Sequence, residues 1–148
     1  MKHQAGIIGC GGIAHQKHFP ALSKVTDRVE LVAFCDIIPE RAESSAKEFG
    51  APGARVYTDY HDLLAEPDID IVYVLTPNVA HCEISVAALE AGKNVMCEKP
   101  MAATVQDAQR MMDAWKKSGK LFTIGYQNRY RPDSQTLKRL CEEGELGD

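Results

Sequence analysis

The sequence predicts an α/β protein built on a doubly wound, mostly parallel sheet. Three observations carry that prediction. Short apolar segments alternate with helix-like ones along nearly the whole chain, the pattern of β-α-β units whose helices cover both faces of a sheet. The first apolar segment runs straight into Gly9-Cys10-Gly11-Gly12-Ile13-Ala14, and the second ends on Asp36. Right-handed crossovers and short connections then leave a doubly wound sheet as the natural solution.

The elements come in order. Gln4–Gly9 is a short apolar strand. A helix-like stretch continues to Lys24, where Pro20 is expected to open a second helical piece rather than sit inside the first. Val29–Asp36 is apolar enough to be covered on both faces. Pro39–Phe49 reads as a helix with proline in its first turn and Gly50 as its stop. Arg55–Thr58 is a weak strand, Asp59–Ala65 a short helix and Asp70–Thr76 a strong strand. Asn78–Ala91 is a helix that Asn78 can cap and Gly92 can stop. Asn94–Glu98 is a strand, Thr104–Ser118 a helix with Thr104 at its N-cap, and Lys120–Gly125 the last strand. From Gln127 the pattern turns polar, and Asp133–Glu143 forms one more helix, closed by Gly144. Residues 1–126 are thus read as one dinucleotide-binding domain. Residues 127–148 are read as a connecting segment leading toward a second domain that this chain lacks.

Composition narrows the function. With 148 residues, 45% apolar and 26% charged, the chain can bury a real core and does not have the make-up of a disordered protein. A net charge of −4 without a basic block argues against nucleic-acid or membrane-surface partners. The five cysteines are an odd number with no C-x-x-C pair. They read as free thiols acting as small hydrophobes in a reducing, cytoplasmic setting. No apolar run approaches the ~20 residues of a membrane span, no export signal opens the chain, and no metal site is assigned.

Gly9-Cys10-Gly11-Gly12-Ile13-Ala14 fits G-x-G-x-x-A between a strand and a helix. The chemistry needs those residues: Gly9 for the tight turn, Gly11 for close approach of backbone to a pyrophosphate, and Ala14 for close helix–strand packing. The helix N-terminus adds unpaired N–H groups and a positive dipole end, a setting in which Gly12 and Ile13 also contact the cofactor. Glycine clusters also make ordinary turns, so the acid after the second strand matters. A carboxylate at Asp36 can accept both ribose hydroxyls and repels a 2′-phosphate, which favours NAD over NADP. Ile37 belongs to the same binding set. Arg41 keeps NADP open as the alternative, since it could reach a 2′-phosphate or simply be a solvated arginine on a helix face.

Ligands of a doubly wound sheet sit outside the carboxyl ends of its strands. Later strands deliver Thr76-Pro77-Asn78 with His81, then Glu98-Lys99-Pro100, then Tyr126-Gln127-Asn128-Arg129 to that edge. Together with the glycine motif and Asp36, the stretches TPNVAH, AALEAGKNVMCEKPMA and GYQNRYRP resemble the glucose–fructose oxidoreductase, inositol dehydrogenase and MocA-like (Gfo/Idh/MocA) family. The resemblance spans essentially the whole chain. It implies a Rossmann NAD(P)-binding domain, a nicotinamide-dependent oxidoreductase acting on a secondary alcohol of a sugar, cyclitol or related polyol, and a homo-oligomeric full-length protein.

By the same resemblance Lys99 is the catalytic lysine, bonding the reacting oxygen beside the cofactor. Glu98 would help position the ribose or nicotinamide end. Thr76, Pro77, Asn78 and His81 would line the nicotinamide half of the groove, with Gln127 and Arg129 where cofactor meets substrate. Plainer readings stand beside these: His81 as a residue that only satisfies backbone groups, and Glu98 with Lys99 as an ordinary strand-end ion pair. The family's second domain, usual source of the proton-transferring His or Asp, is missing, so this chain by itself is expected to bind cofactor without turnover. A dinucleotide-binding sensor or regulatory module is the alternative, although a sensor has no need of Glu98 and Lys99. An S-adenosylmethionine-dependent transferase shares glycine loops and strand-end acids but is disfavoured by the EKP and TPN motifs.

Overall fold

Apolar residues on successive short strands must be covered on both faces, and the chain does this with helices on each side. In the structure, a computed structural model describing residues 2–147, six strands form one sheet. They are β1 (His3–Ile8), β2 (Val29–Cys35), β3 (Arg55–Tyr57), β4 (Ile71–Val74), β5 (Asn94–Cys97) and β6 (Phe122–Ile124). Their order is β3-β2-β1-β4-β5-β6 and every pairing is parallel. The fold is the doubly wound one the sequence predicts. The chain winds outward from β1 to β3, then returns to lay β4 on the other side of β1. That reversal opens a crevice between the carboxyl ends of β1 and β4.

Helices fill the connections, α1 (Phe19–Leu22), α2 (Pro39–Phe49), α3 (Tyr60–Leu64), α4 (His81–Glu90) and α5 (Val105–Ser118), and α6 (Pro132–Glu142) follows the last strand. Two apolar layers result. Ala5, Ile7 and Phe34 pack with Ala14, Phe19, Leu22 and Ala42 on one face. Ile8, Val72, Val74, Val95 and Cys97 pack with Leu63, Ile84, Leu89 and Met111 on the other. Phe19 is fully buried and stacks on Phe49 with ring centroids 4.5 Å apart; burying a phenylalanine contributes about 1.5–3 kcal/mol. Caps set several helix starts. Thr104 accepts from the N–H of Asp107 ahead of α5, and Asp59 accepts from the N–H of His61 ahead of α3.

Two local expectations are corrected. Pro20 does not open a new helix. The helix runs on from Gly12 through a π turn, Ala14–His18, directly into α1. Proline lacks an N–H and crowds the carbonyl four residues back, and a wider turn just before it relieves that conflict. Asn78 does not cap α4 either. It lies in a 3₁₀ turn, Asn78–Ala80, whose N-cap is Pro77 and which has no side-chain cap. The outermost residues of the two segments assigned from sequence, Met1 and Asp148, lie outside the described residues.

Candidate functional site

Gly9 turns β1 toward the helix at φ 98°, a conformation that L side chains rarely adopt. A Cβ there would stand 2.7 Å from the backbone of Leu75, so glycine is required by both torsion and space. Gly11 is different: a Cβ there would meet nothing within 4 Å. The missing side chain leaves an open backbone face at the start of the helix, where N–H groups are free to meet an anion.

Asp36 follows β2 and is buried. Its Oδ2 accepts from the Cys10 N–H at 2.8 Å and its Oδ1 from the Ile38 N–H at 3.0 Å. The carboxylate thus braces the glycine turn, and each oxygen keeps a second acceptor site for a ribose hydroxyl. Around it runs a groove of about 580 Å³, within the usual range for a small-molecule site. Gly9, Gly11, Gly12, Ile13, Asp36, Ile37, Arg41, Thr76 and Pro77 all line it. So do Tyr60, Val79 and Glu83, which sequence reasoning missed. Ile37 and Val79 are 88% and 81% exposed, and apolar residues left bare at a groove mouth are the signal that would have found Val79. Tyr60 donates to Glu83 at 3.0 Å across the same wall.

Thr76 brings a buried Oγ1 that has no partner among the described residues. His81 departs from expectation. It is 0% exposed, with Nδ1 2.8 Å from the Pro100 carbonyl and Nε2 2.9 Å from the Thr76 carbonyl. In either tautomer the ring donates to one of these oxygens. The side chain staples the loop after β4 to the turn after β5 and does not reach the groove. Asn78 is exposed beside it.

Beyond β5, Glu98 and Lys99 do not pair with each other through their side chains. Glu98 is 6% exposed, and its Oε1 lies 2.8 Å from Nε2 of His18 on the π turn. Its Oε2 accepts from the backbone N–H of Lys99 at 3.0 Å. The carboxylate expected beside the cofactor is therefore engaged inward. Lys99 is exposed and forms no ion pair among the described residues, and the Lys99–Pro100 peptide is cis. With Tyr126, Gln127, Asn128 and Arg129 it lines a second hollow of about 340 Å³. His18 carried no sequence signal beyond being a histidine in the helix after the glycine loop.

Four of the five cysteines are buried, and Cys141 is exposed. Burial pushes the Cys10 and Cys35 thiols up to about 12 and the Cys97 thiol up to about 11, which leaves them un-ionised and unreactive. Among the described residues no group of three or more His, Cys, Asp or Glu is placed to hold a metal ion. Nor is any helix of the described residues long and apolar enough to cross a membrane.

A glycine turn with an open backbone face, a braced strand-end acid and a groove at the topological switch point define a dinucleotide-binding Rossmann domain. The family model for the oxidoreductase family with the NAD-binding Rossmann fold matches residues 3–126, and the chain belongs to that Gfo/Idh/MocA family. It is 40% identical over 148 residues to inositol 2-dehydrogenase of Salmonella typhimurium, covering 99% of this chain and 44% of that protein. Among solved structures it resembles the WlbA dehydrogenase of Chromobacterium violaceum in complex with NADH and UDP-GlcNAcA. The TM-score is 0.90 at 39% identity, over 97% of this chain and 40% of that one. A 3-ketoreductase from Actinomadura kijaniata in complex with TDP-benzene and NADP gives 0.88 at 30% identity, over 100% and 44%. The chain spans less than half the length of these relatives.

Proposed function

We propose that this chain is the cofactor-holding part of an oxidoreductase that moves a hydride between NAD and a secondary alcohol of a cyclitol, sugar or nucleotide-linked sugar. The observation that carries the reading is the unpaired Lys99 ammonium, exposed beside Gln127 and Arg129 at the carboxyl edge that also bears the cofactor groove. A structural lysine would be expected to have found the neighbouring Glu98, which instead bonds His18. The residues fit a nicotinamide dinucleotide. The open face at Gly11 suits the pyrophosphate, Asp36 the ribose hydroxyls, Ile37 and Val79 the faces of the adenine, and the orphan Thr76 hydroxyl the nicotinamide half.

When bound, the cofactor supplies the hydride acceptor. The chain's own contribution is position and field. Lys99 stabilises alkoxide character at the alcohol oxygen, whose proton passes to a base supplied from the substrate domain, and Asp36 fixes the ribose from the other end. Asp36 also favours NAD, because a 2′-phosphate would face a carboxylate already committed to two N–H groups. Arg41, exposed on the groove wall, is the one competing influence. Residues 127–148 are taken as the lead into a substrate domain of the kind the longer relatives have room for, and the complete enzyme as a homo-oligomer. The test is a titration of this chain with NAD(H) and NADP(H), together with a dehydrogenase assay of the complete protein on inositols, sugars and nucleotide sugars. Tighter binding of NAD(H), with turnover of a polyol only by the complete protein, supports the reading. Failure of this chain to bind either dinucleotide, or turnover of no polyol by the complete protein, defeats it.

A further inference from the structure

We propose that His18 is a positioning residue of this site: it holds Glu98, and through Glu98 the backbone N–H of Lys99, so that the turn after β5 presents Lys99 in one orientation. The proposal rests on the reading of Lys99 as the lysine that meets substrate. The chain of contacts is short and closed. His18 Nε2 lies 2.8 Å from Glu98 Oε1, and the same carboxylate takes the Lys99 N–H on Oε2 at 3.0 Å. The two side chains are 11% and 8% exposed. A carboxyl group so buried needs a hydrogen-bond partner at each oxygen.

Three features place the pair deliberately. First, His18 closes the π turn Ala14–His18. One extra residue in a helical turn swings the next residues by about 100° around the axis, and this turn delivers the imidazole to a strand end 80 positions later in the chain. π turns are concentrated at functional sites. Second, the ring stands edge-on to Tyr73, 6.2 Å between centroids, which limits its rotation. Third, Gly125 at the end of β6 clears the space. A Cβ there would stand 3.0 Å from Met96 Cε and 3.2 Å from Glu98 Oε1, so the carboxylate is bounded on that side by bare backbone. A buried polar pair adds little net stability compared with apolar residues of the same volume. What this one does supply is a fixed direction for the peptide that carries Lys99.

The experiment compares His18→Leu with His18→Gln, whose amide can donate from near the position of Nε2. Hydrogen exchange of the Lys99 amide is followed by NMR on this chain, and kcat and the KM for NAD are measured in the complete enzyme. In His18→Leu the Lys99 amide should lose about tenfold or more of its protection, and kcat should fall by about as much, the scale of one lost bond to a charged group. The KM for NAD should stay within about twofold, since the phosphate turn is untouched. His18→Gln should restore both. If His18→Leu does not fold, His18→Asn, polar but too short to reach Glu98, carries the same expectation. Unchanged Lys99 protection in a folded His18→Leu or His18→Asn protein overturns the proposal, as does a His18→Gln enzyme no better than His18→Leu. Should protection respond as described while Lys99→Ala enzyme keeps normal turnover, the functional reading falls and the positioning geometry stands.

Discussion

The carboxyl edge of the sheet has two stretches built to different standards. Over β1, β2 and β4 lies the more enclosed of the two, a groove with buried residues at its base: Gly9 lies against the Leu75 backbone, Asp36 is braced by two N–H groups, and the His81 staple closes the side toward β5. Over β5 and β6 the surface is open. Lys99 is exposed, no residue from Tyr126 to Gly147 is buried, and α6 has no buried residue at all. Both stretches sit on the same rigid sheet. The difference teaches that the groove over β1, β2 and β4 is shaped by residues of this chain, whereas the surface around Lys99 is left uncovered by them. Only the backbone beneath Lys99 is held tightly, by Glu98.

That contrast can be broken most sharply at Lys99. In the complete enzyme, Lys99→Ala should lower kcat by at least ~100-fold, the scale of a lost acid or oxyanion-type partner. NAD affinity and melting temperature should hardly move, because the ammonium makes no ion pair among the described residues. Near-normal turnover, or loss through unfolding, would make Lys99 structural and erase the distinction between the two stretches.

The glycine turn offers a contrast within the enclosed stretch. Gly11→Ala places a methyl where only a ligand would meet it, so dinucleotide affinity should fall by about tenfold or more while thermal stability holds. Gly9→Ala forces a strained φ against the Leu75 backbone and should cost about 2 kcal/mol or more of stability, read as a drop in melting temperature. Equal behaviour of the two variants in calorimetry and titration would mean that the turn is a single structural unit.

Asp36→Ala sharpens cofactor choice. NAD should bind more weakly and the gap between NAD and NADP should narrow, as measured by parallel fluorescence titrations. Some stability should go with it, since the buried Cys10 N–H and the partly buried Ile38 N–H lose their acceptor. If the unmodified chain binds both dinucleotides equally, Arg41 outweighs Asp36.

A last test concerns the buried thiols: Cys10 and Cys35 beneath the groove, and Cys97 at the end of β5. A raised pKa means that the folded state keeps its proton where the unfolded chain has lost it. Stability from Cys10, Cys35 and Cys97 is therefore complete below about pH 9 and declines as pH rises toward 11–12. Denaturant titrations between pH 8 and 10.5 should show that decline. At pH 8 a thiol reagent should label Cys141 alone in the folded chain. Rapid labelling of a second cysteine would show that the core around that residue opens readily.

Much of this was legible from residue order. Periodicity located the six strands to within a residue or two at most ends, and Pro39 and Phe49 bound α2 as read. Thr104 caps α5 as expected because a threonine three residues before an aspartate has a local partner. Local rules failed where a local preference met a distant constraint. Asn78 is a good cap in isolation, yet Pro77 shapes a 3₁₀ turn ahead of His81. Pro20 would begin a helix on local grounds, yet the helix keeps going through a π turn and carries His18 to Glu98.

The sequence by itself determined the strand–helix alternation, the glycine turn, the acid after β2 and the presence of Lys99 at a strand end. Those arise from spacing, torsional freedom and burial pattern, which act over a few residues. Only the tertiary structure decided who partners whom: that Glu98 meets the His18 ring and not the Lys99 ammonium, that His81 is a buried staple, and that Tyr60, Val79 and Glu83 share a wall. Hydrogen bonds and ion pairs of buried groups are settled by which atoms lie within about 3 Å, and residues as many as 80 positions apart come that close only once the sheet has fixed its strand order.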